Sequence, residues 1–256
     1  MIIFYFSGTG NSYWTAQEIG KQFSADVTSI VNYLSEKEVT VTDDVIGIVA
    51  PTHIIDVPWI MKEFLLKISA VNKPYIFAVM TSNNGKSGKA FENIDRALKH
   101  KNMQLSLAFD LQMPGNCVMS TTEENEQRLY DAPKIISDIC NSITERKINT
   151  TPTTKKINPR KFAKITILNS VITHFKVNEK CSNCGQCIKI CPTNSIESVN
   201  GKAVHHKKCA ACYSCLHWCP QHAIIVNVPT FKNMIQYHHP EVSFNDMFYT
   251  QNHQVK

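Results

Sequence analysis

The stretch "IIFYFSGTGNSYWTAQEIGKQF", residues 2–23, decides the fold class. Ile2 to Phe6 form a short apolar run of the kind that makes a buried strand, and the run breaks at Ser7–Gly8. From about Ser12 to Phe23 the pattern turns helical. Working outward, Val45–Pro51 and Pro74–Thr81 are two more apolar, β-branched runs, and Leu105–Met113 reads as a last strand. Helices are expected over Pro58–Ile68 and Ser87–His100. A long helix is expected from Thr121, with an acidic start and a basic end that suit the helix dipole, and a kink at Pro133. Continuous apolar strands alternating with helices predict a doubly wound parallel sheet covered on both faces.

The loop "FSGTGNS" between the first strand and the first helix carries the first chemical signal. Its hydroxyls (Ser7, Thr9, Ser12), its glycines (Gly8, Gly10), Asn11 and the helix N-terminus behind them can wrap an anion with backbone N–H groups. A nucleotide P-loop would end in Gly-Lys-Ser/Thr, and no lysine is present. A dinucleotide fingerprint would need glycine where Tyr13 stands. Many hydroxyls without a positive charge suit a monophosphate held by neutral donors. The plainer alternative is a Ser/Gly-rich turn with no ligand.

The second signal is a repeat. "CSNCGQCIKICP" starts at Cys181 and "CAACYSCLHWCP" at Cys209, 28 positions on, and together they hold eight of the ten cysteines. Each reads C-x2-C-x2-C-x3-C-P. Three sulfurs on a tight loop point at three corners of one iron–sulfur cube, and the fourth reaches the other cube. Structural zinc is the competing reading, but it usually takes two C-x2-C pairs across a longer loop. Tyr213 and Trp218, lying among these cysteines, read as shields against water. Of the other two cysteines, Cys140 sits on an apolar helical face and reads as core. Cys117 follows "MPGN" at a strand end, where a reactive thiol is the functional alternative.

The 256 residues, 43% hydrophobic and 19% charged, suit one large domain or two ordinary ones with a sizeable core. No apolar run approaches the ~20 residues of a membrane span. The chain enters a strand-like run at once with no basic leader, so a cytoplasmic location is expected, where clustered cysteines favour metal over disulfides. The net charge of +6 is mild, and without a Lys/Arg-rich run or interleaved aromatics a nucleic-acid partner is not expected. Ile148–Pro159 is polar and proline-punctuated, like a linker, and the amphipathic Lys161–Phe175 follows as a connecting helix. The expected organisation is therefore residues 1–147, a linker and helix over 148–174, a cysteine domain over 175–228, and a tail over 229–256 packed back on the body.

Taken together, "SGTGNS", "MPGN", the eight-cysteine module and "YHHPE" in the tail resemble the bacterial fused flavodoxin–ferredoxin family. The resemblance implies a flavodoxin-like sheet of order 2-1-3-4-5 followed by a small α+β ferredoxin domain. It implies FMN, with its phosphate in Ser7–Ser12. The ring would lie between "PTHIIDVPW", including Pro51, Thr52 and His53, and "TSNNGKSG", including Thr81, Ser82, Asn83, Asn84, Gly85 and Gly88. "MPGNC" (Met113–Cys117) would form a third wall. Trp59 reads as core packing or as a ring-stacking residue, and His53 as a hydrogen-bonding partner of the ring. The two-cluster ferredoxin pattern implies that Cys181, Cys184, Cys187 and Cys219 hold one [4Fe–4S] cluster, and Cys209, Cys212, Cys215 and Cys191 the other.

Flavin takes one or two electrons and each cluster one, so the expected function is electron transfer between one- and two-electron chemistry, with redox proteins as partners. No general acid–base pair stands out as catalytic. Two alternatives are a flavin-dependent reductase of a small organic acceptor fed by the clusters, and a redox-sensing or structural iron–sulfur protein with an empty flavin site.

Overall fold

In the computed structural model, β1 (Ile2–Tyr5) pairs in parallel with β2 (Asp26–Ser29) on one side. The structure describes residues 1–117, 120–150, 174–206, 208–226 and 234–248. Three further strands, β4 (Val45–Pro51), β6 (Tyr75–Ser82) and β7 (Leu107–Gln112), extend the sheet from the other edge of β1, all parallel. The resulting order β2-β1-β4-β6-β7 is the flavodoxin-like 2-1-3-4-5 arrangement. The short strands β3 (Val39–Val41) and β5 (Ile68–Ala70) pair only with each other, so they do not alter the count of the main sheet.

Period-two alternation divides the strand side chains between two cores. Ile3, Tyr5, Val49, Phe77 and Val79 pack on one face with α1 (Asn11–Phe23) and α4 (Thr122–Thr144). Phe4, Phe6, Ile46, Ile48 and Met80 pack on the other face with α2 (Trp59–Leu65) and α3 (Ala90–His100). Both faces being buried explains why the strands read as unbroken apolar runs. The capping box of Thr121 and Glu124 starts α4, which continues through Pro133.

The cysteine repeat builds two antiparallel pairs, β8 (Phe175–Val177) with β11 (Ile224–Val226), and β9 (Ile196–Val199) with β10 (Lys202–His205). Two single-turn helices, α5 (Gln186–Lys189) and α6 (Ser214–His217), follow the C-x2-C elements. The repeat extends to the backbone. Asn183 and Ala211, Gly185 and Tyr213, and Asn194 and His222 are pairs 28 residues apart, and all six residues adopt left-handed φ between 49° and 75°. Glycine adopts this conformation freely, whereas Tyr213 at φ 59° is held there against its own preference. The expected connecting helix lies outside the described residues except at its end, where Phe175 opens β8 instead. Sequence patterning also passed over β2 and the β3–β5 pair, whose three- or four-residue strands are too short to show a period.

Candidate functional site

At the C-terminal ends of β1, β4 and β6 a cleft of about 450 Å³ opens. That size lies within the range of small-molecule and cofactor sites. Ser7, Gly8, Thr9, Asn11 and Ser12 form its floor. Pro51, Thr52 and His53 form one wall, and Thr81, Ser82, Asn83 and Asn84 another. Pro114, Gly115, Asn116 and Cys117 form a third wall, and Ile54, Ile55, Lys86 and Cys212 also line the cleft.

The floor is polar and uncharged. Ser7, Thr9 and Ser12 are buried. Ser7 Oγ accepts from Gly10 N at 3.1 Å, Ser12 Oγ bonds Thr81 Oγ1 at 2.8 Å, and Asn11 Nδ2 donates to the carbonyl of Pro114 at 2.9 Å. Gly10, the N-cap of α1, has no side chain to cap the first-turn N–H groups, which leaves that helix end suited to an anion. In the wall, Thr52 Oγ1 is buried without a hydrogen-bond partner among the described residues, a group that a ligand would satisfy. His53 packs edge-on to Phe6, and burial pushes its pKa down to about 4, so its imidazole is neutral at neutral pH.

Gly10, Gly85, Gly88 and Met113 were expected at the cleft and do not line it; Met113 is buried in the core on the face of α1 and α4. Gly10 (φ +98°) packs beneath His239 and Val242 of the tail. A Cβ on Gly88 would meet the carbonyl oxygen of Ile55 at 2.4 Å, so this glycine lets the loops after β4 and β6 touch, and Lys89 N bonds the same oxygen. Gly85 (φ +64°) turns its own loop beside Gln112. Trp59 is likewise not a cleft residue, and its Nε1 donates to the carbonyl of Cys209 at 3.1 Å. Ile54 and Ile55 both hold positive φ, 50° and 56°, unusual for β-branched residues. His53 and Asp56 close that turn with reciprocal backbone bonds, and Ile54 and Ile55 are left 41% and 62% exposed at the cleft mouth.

The sulfurs divide into two sets. One small void is ringed by Cys181, Cys184, Cys187 and Cys219, and another by Cys191, Cys209, Cys212 and Cys215. The fourth cysteine of each repeat thus lies with the first three of the other, the grouping that goes with this spacing in two-cluster ferredoxins. Backbone N–H groups already point at three sulfurs: Ser195 N to Cys191 at 3.2 Å, Ala211 N to Cys209 at 3.4 Å and Ala223 N to Cys219 at 3.4 Å. Burial raises the Cys187 thiol to about 11, with Cys219, Cys184 and Cys181 adding to the shift. Thiols this hard to ionise become thiolates when a metal centre takes the proton's place. The residues fit iron–sulfur clusters.

Cys212 belongs to both sites, because it rings the second void and lines the cleft. Gly8 is the contact point, since a Cβ there would come within 2.3 Å of the Cys212 carbonyl oxygen. The carbonyl of Gly8 accepts from Ser214 Oγ at 2.9 Å and from Trp218 Nε1 at 3.1 Å. His217 Nδ1 accepts from Tyr237 N, which leaves Nε2 to donate to the carbonyl of Asn116 at 2.8 Å. The tail completes the junction. Tyr237 hydroxyl donates to Asn11 Oδ1, His239 N bonds the carbonyl of Thr9, and His238 and His239 stack on Trp218 and Trp14. Trp14 Nε1 in turn donates to Glu241. All three tryptophans of the chain thus donate across the junction between the flavodoxin-like part and the segments after it. Buried indoles need an acceptor, but no local pattern names it.

Residues 174–232 match the family described as a 4Fe-4S dicluster domain. The chain fuses a flavodoxin-like domain to a ferredoxin domain. Its structure is also similar to a Trp repressor binding protein from Bacillus subtilis (15% identity, 52% of this chain and 96% of that one, TM-score 0.34). A flavodoxin from Streptococcus pneumoniae TIGR4 gives 17% identity, 54% and 97% coverage and a TM-score of 0.34. An archaeal flavodoxin gives 16%, 56%, 97% and 0.33. The search of curated proteins found none that matches. No helix among the described residues is long and apolar enough to cross a membrane.

Proposed function

We propose that the protein is an electron-transfer flavo-iron–sulfur protein that binds FMN in the cleft and two [4Fe–4S] clusters on its two cysteine sets. The observation that carries this reading is the position of Cys212, a sulfur ligand of one set that forms part of the cleft wall. When bound, the flavin supplies one- or two-electron chemistry and each cluster one-electron chemistry. The chain's own residues supply placement. The Ser7–Ser12 loop takes the phosphate with hydroxyls and backbone N–H groups, and Thr52 and neutral His53 face the ring. Tyr213 and Trp218, both buried, keep water from the cysteine set beside the cleft. The opposite set includes the exposed Cys184, so that end is where a redox partner protein comes close to a cluster.

Purification without oxygen, with iron, sulfide and flavin quantified on one sample, tests the reading. About eight irons and one FMN per chain are expected. Eight irons with no flavin bound at micromolar FMN would remove the flavin half of the proposal.

A further inference from the structure

His205 ends β10, and its ring stacks on Phe175 with centroids 4.7 Å apart and planes 26° from parallel. The stack sets the plane of the imidazole, and the side chain lines the void ringed by Cys191, Cys209, Cys212 and Cys215. Its Nε2 is buried and has no hydrogen-bond partner among the described residues. Leaving such a nitrogen unpaired costs about 1–3 kcal/mol, so native chains seldom keep one that nothing satisfies. Among the described residues no histidine lines the other void, and Val177 stands 28 residues before His205 in the repeat.

Resting on the cluster reading above, we propose that His205 donates a hydrogen bond from Nε2 to the cluster held by Cys191, Cys209, Cys212 and Cys215, and thereby sets its potential apart from that of the other cluster. A cluster presents sulfide and thiolate sulfurs, which only accept, so the tautomer that satisfies Nε2 carries its proton there. Reduction adds negative charge to the acceptor and strengthens the bond, so the donor favours the reduced form and raises the potential. His205 acts as a positioning residue for charge, on the cluster that adjoins the cleft.

The test uses the full chain purified without oxygen and a redox titration followed by electron paramagnetic resonance. His205→Phe keeps an aromatic ring to stack on Phe175 and loses the donor, while His205→Gln restores an N–H. In His205→Phe, one of the two centres is expected to become about tenfold harder to reduce, about 59 mV for one electron, with the other unmoved. His205→Gln recovers part of that shift. If His205→Phe fails to load iron, wild-type protein carrying ¹⁵N-histidine gives a second measurement. Pulsed resonance then shows a histidine nitrogen coupled to one reduced centre and not to the other. Full iron content with both potentials unmoved in His205→Phe overturns the inference, as does a wild-type protein with no histidine coupling. A wild-type protein that binds no iron at all overturns the cluster reading itself.

Discussion

Gly8→Ala tests the junction between the two halves through the sign of a stability change. Gly8 is not in the left-handed region, so alanine meets no backbone penalty there. Were the space open, the substitution would stabilise the protein by about 0.4–1 kcal/mol, by restricting the unfolded chain. The space is closed. The new Cβ would lie 2.3 Å from the carbonyl oxygen of Cys212 and 3.2 Å from its Cβ, so a backbone segment must move by about 1 Å to restore ordinary contact of ~3.4 Å. Overpacking of this kind costs about 1–3 kcal/mol. The bonds from Ser214 Oγ and Trp218 Nε1 to the Gly8 carbonyl stretch at the same time, and each is worth about 1 kcal/mol. A net destabilisation of about 2 kcal/mol is expected. Urea unfolding of the anaerobically purified protein reads it as a lower midpoint at unchanged slope. A variant more stable than wild type would refute the contact between the Ser7–Ser12 loop and the cysteine loop, and with it the argument from Cys212.

Three further outcomes follow from other parts of the structure. Cys184→Ser alters only the set that includes this exposed cysteine, so the purified variant should lose up to ~4 irons while the second centre keeps its resonance signal; loss of both signals would show that the two sets are not independent. Glu241→Ala removes the acceptor of the Trp14 indole at 3.1 Å and should lower stability by about 1 kcal/mol, with an unchanged urea midpoint counting against the tail as a clasp. Burial pushes His239 down to about 4, against about 6.5 in an unfolded chain, so between those values the unfolded state binds more protons and stability rises with pH. That contribution is complete above pH 6.5 and is lost as pH falls toward 4, with a slope of at most about 1.4 kcal/mol per pH unit. His239→Phe keeps the ring against Trp14 and should flatten the profile in that window; an unaltered profile would place the titration elsewhere.

The alternation of apolar strands with amphipathic helices was legible along the chain, because burying both faces of a sheet forces runs such as Val45–Pro51 and Tyr75–Ser82 to be wholly apolar. The cysteine repeat was legible for a different reason. A cube constrains its ligands locally, three sulfurs to a tight loop, and the spacing records it. Even the left-handed residues at positions 28 apart follow from that local demand, although Tyr213 conceals in the second copy what Gly185 announces in the first. The Ser7–Ser12 loop also stood out, since its hydroxyl and glycine residues are consecutive at one strand–helix turn, and most of them line the floor of the cleft. Contacts between distant segments left no such trace. Gly8 reads as part of the anion loop, yet its lack of a side chain also admits the carbonyl of Cys212, 204 residues later in the chain. Gly88 looks like a ligand-facing glycine and instead makes room for Ile55. Trp14, Trp59 and Trp218 give no hint of their acceptors, and the orphaned nitrogen of His205 exists only once β10 is laid against the sulfur void. Local chemistry is written in spacing because neighbours in sequence must satisfy it together. The junction of cleft and cluster is a matter of which surfaces meet, and only the folded chain decides that.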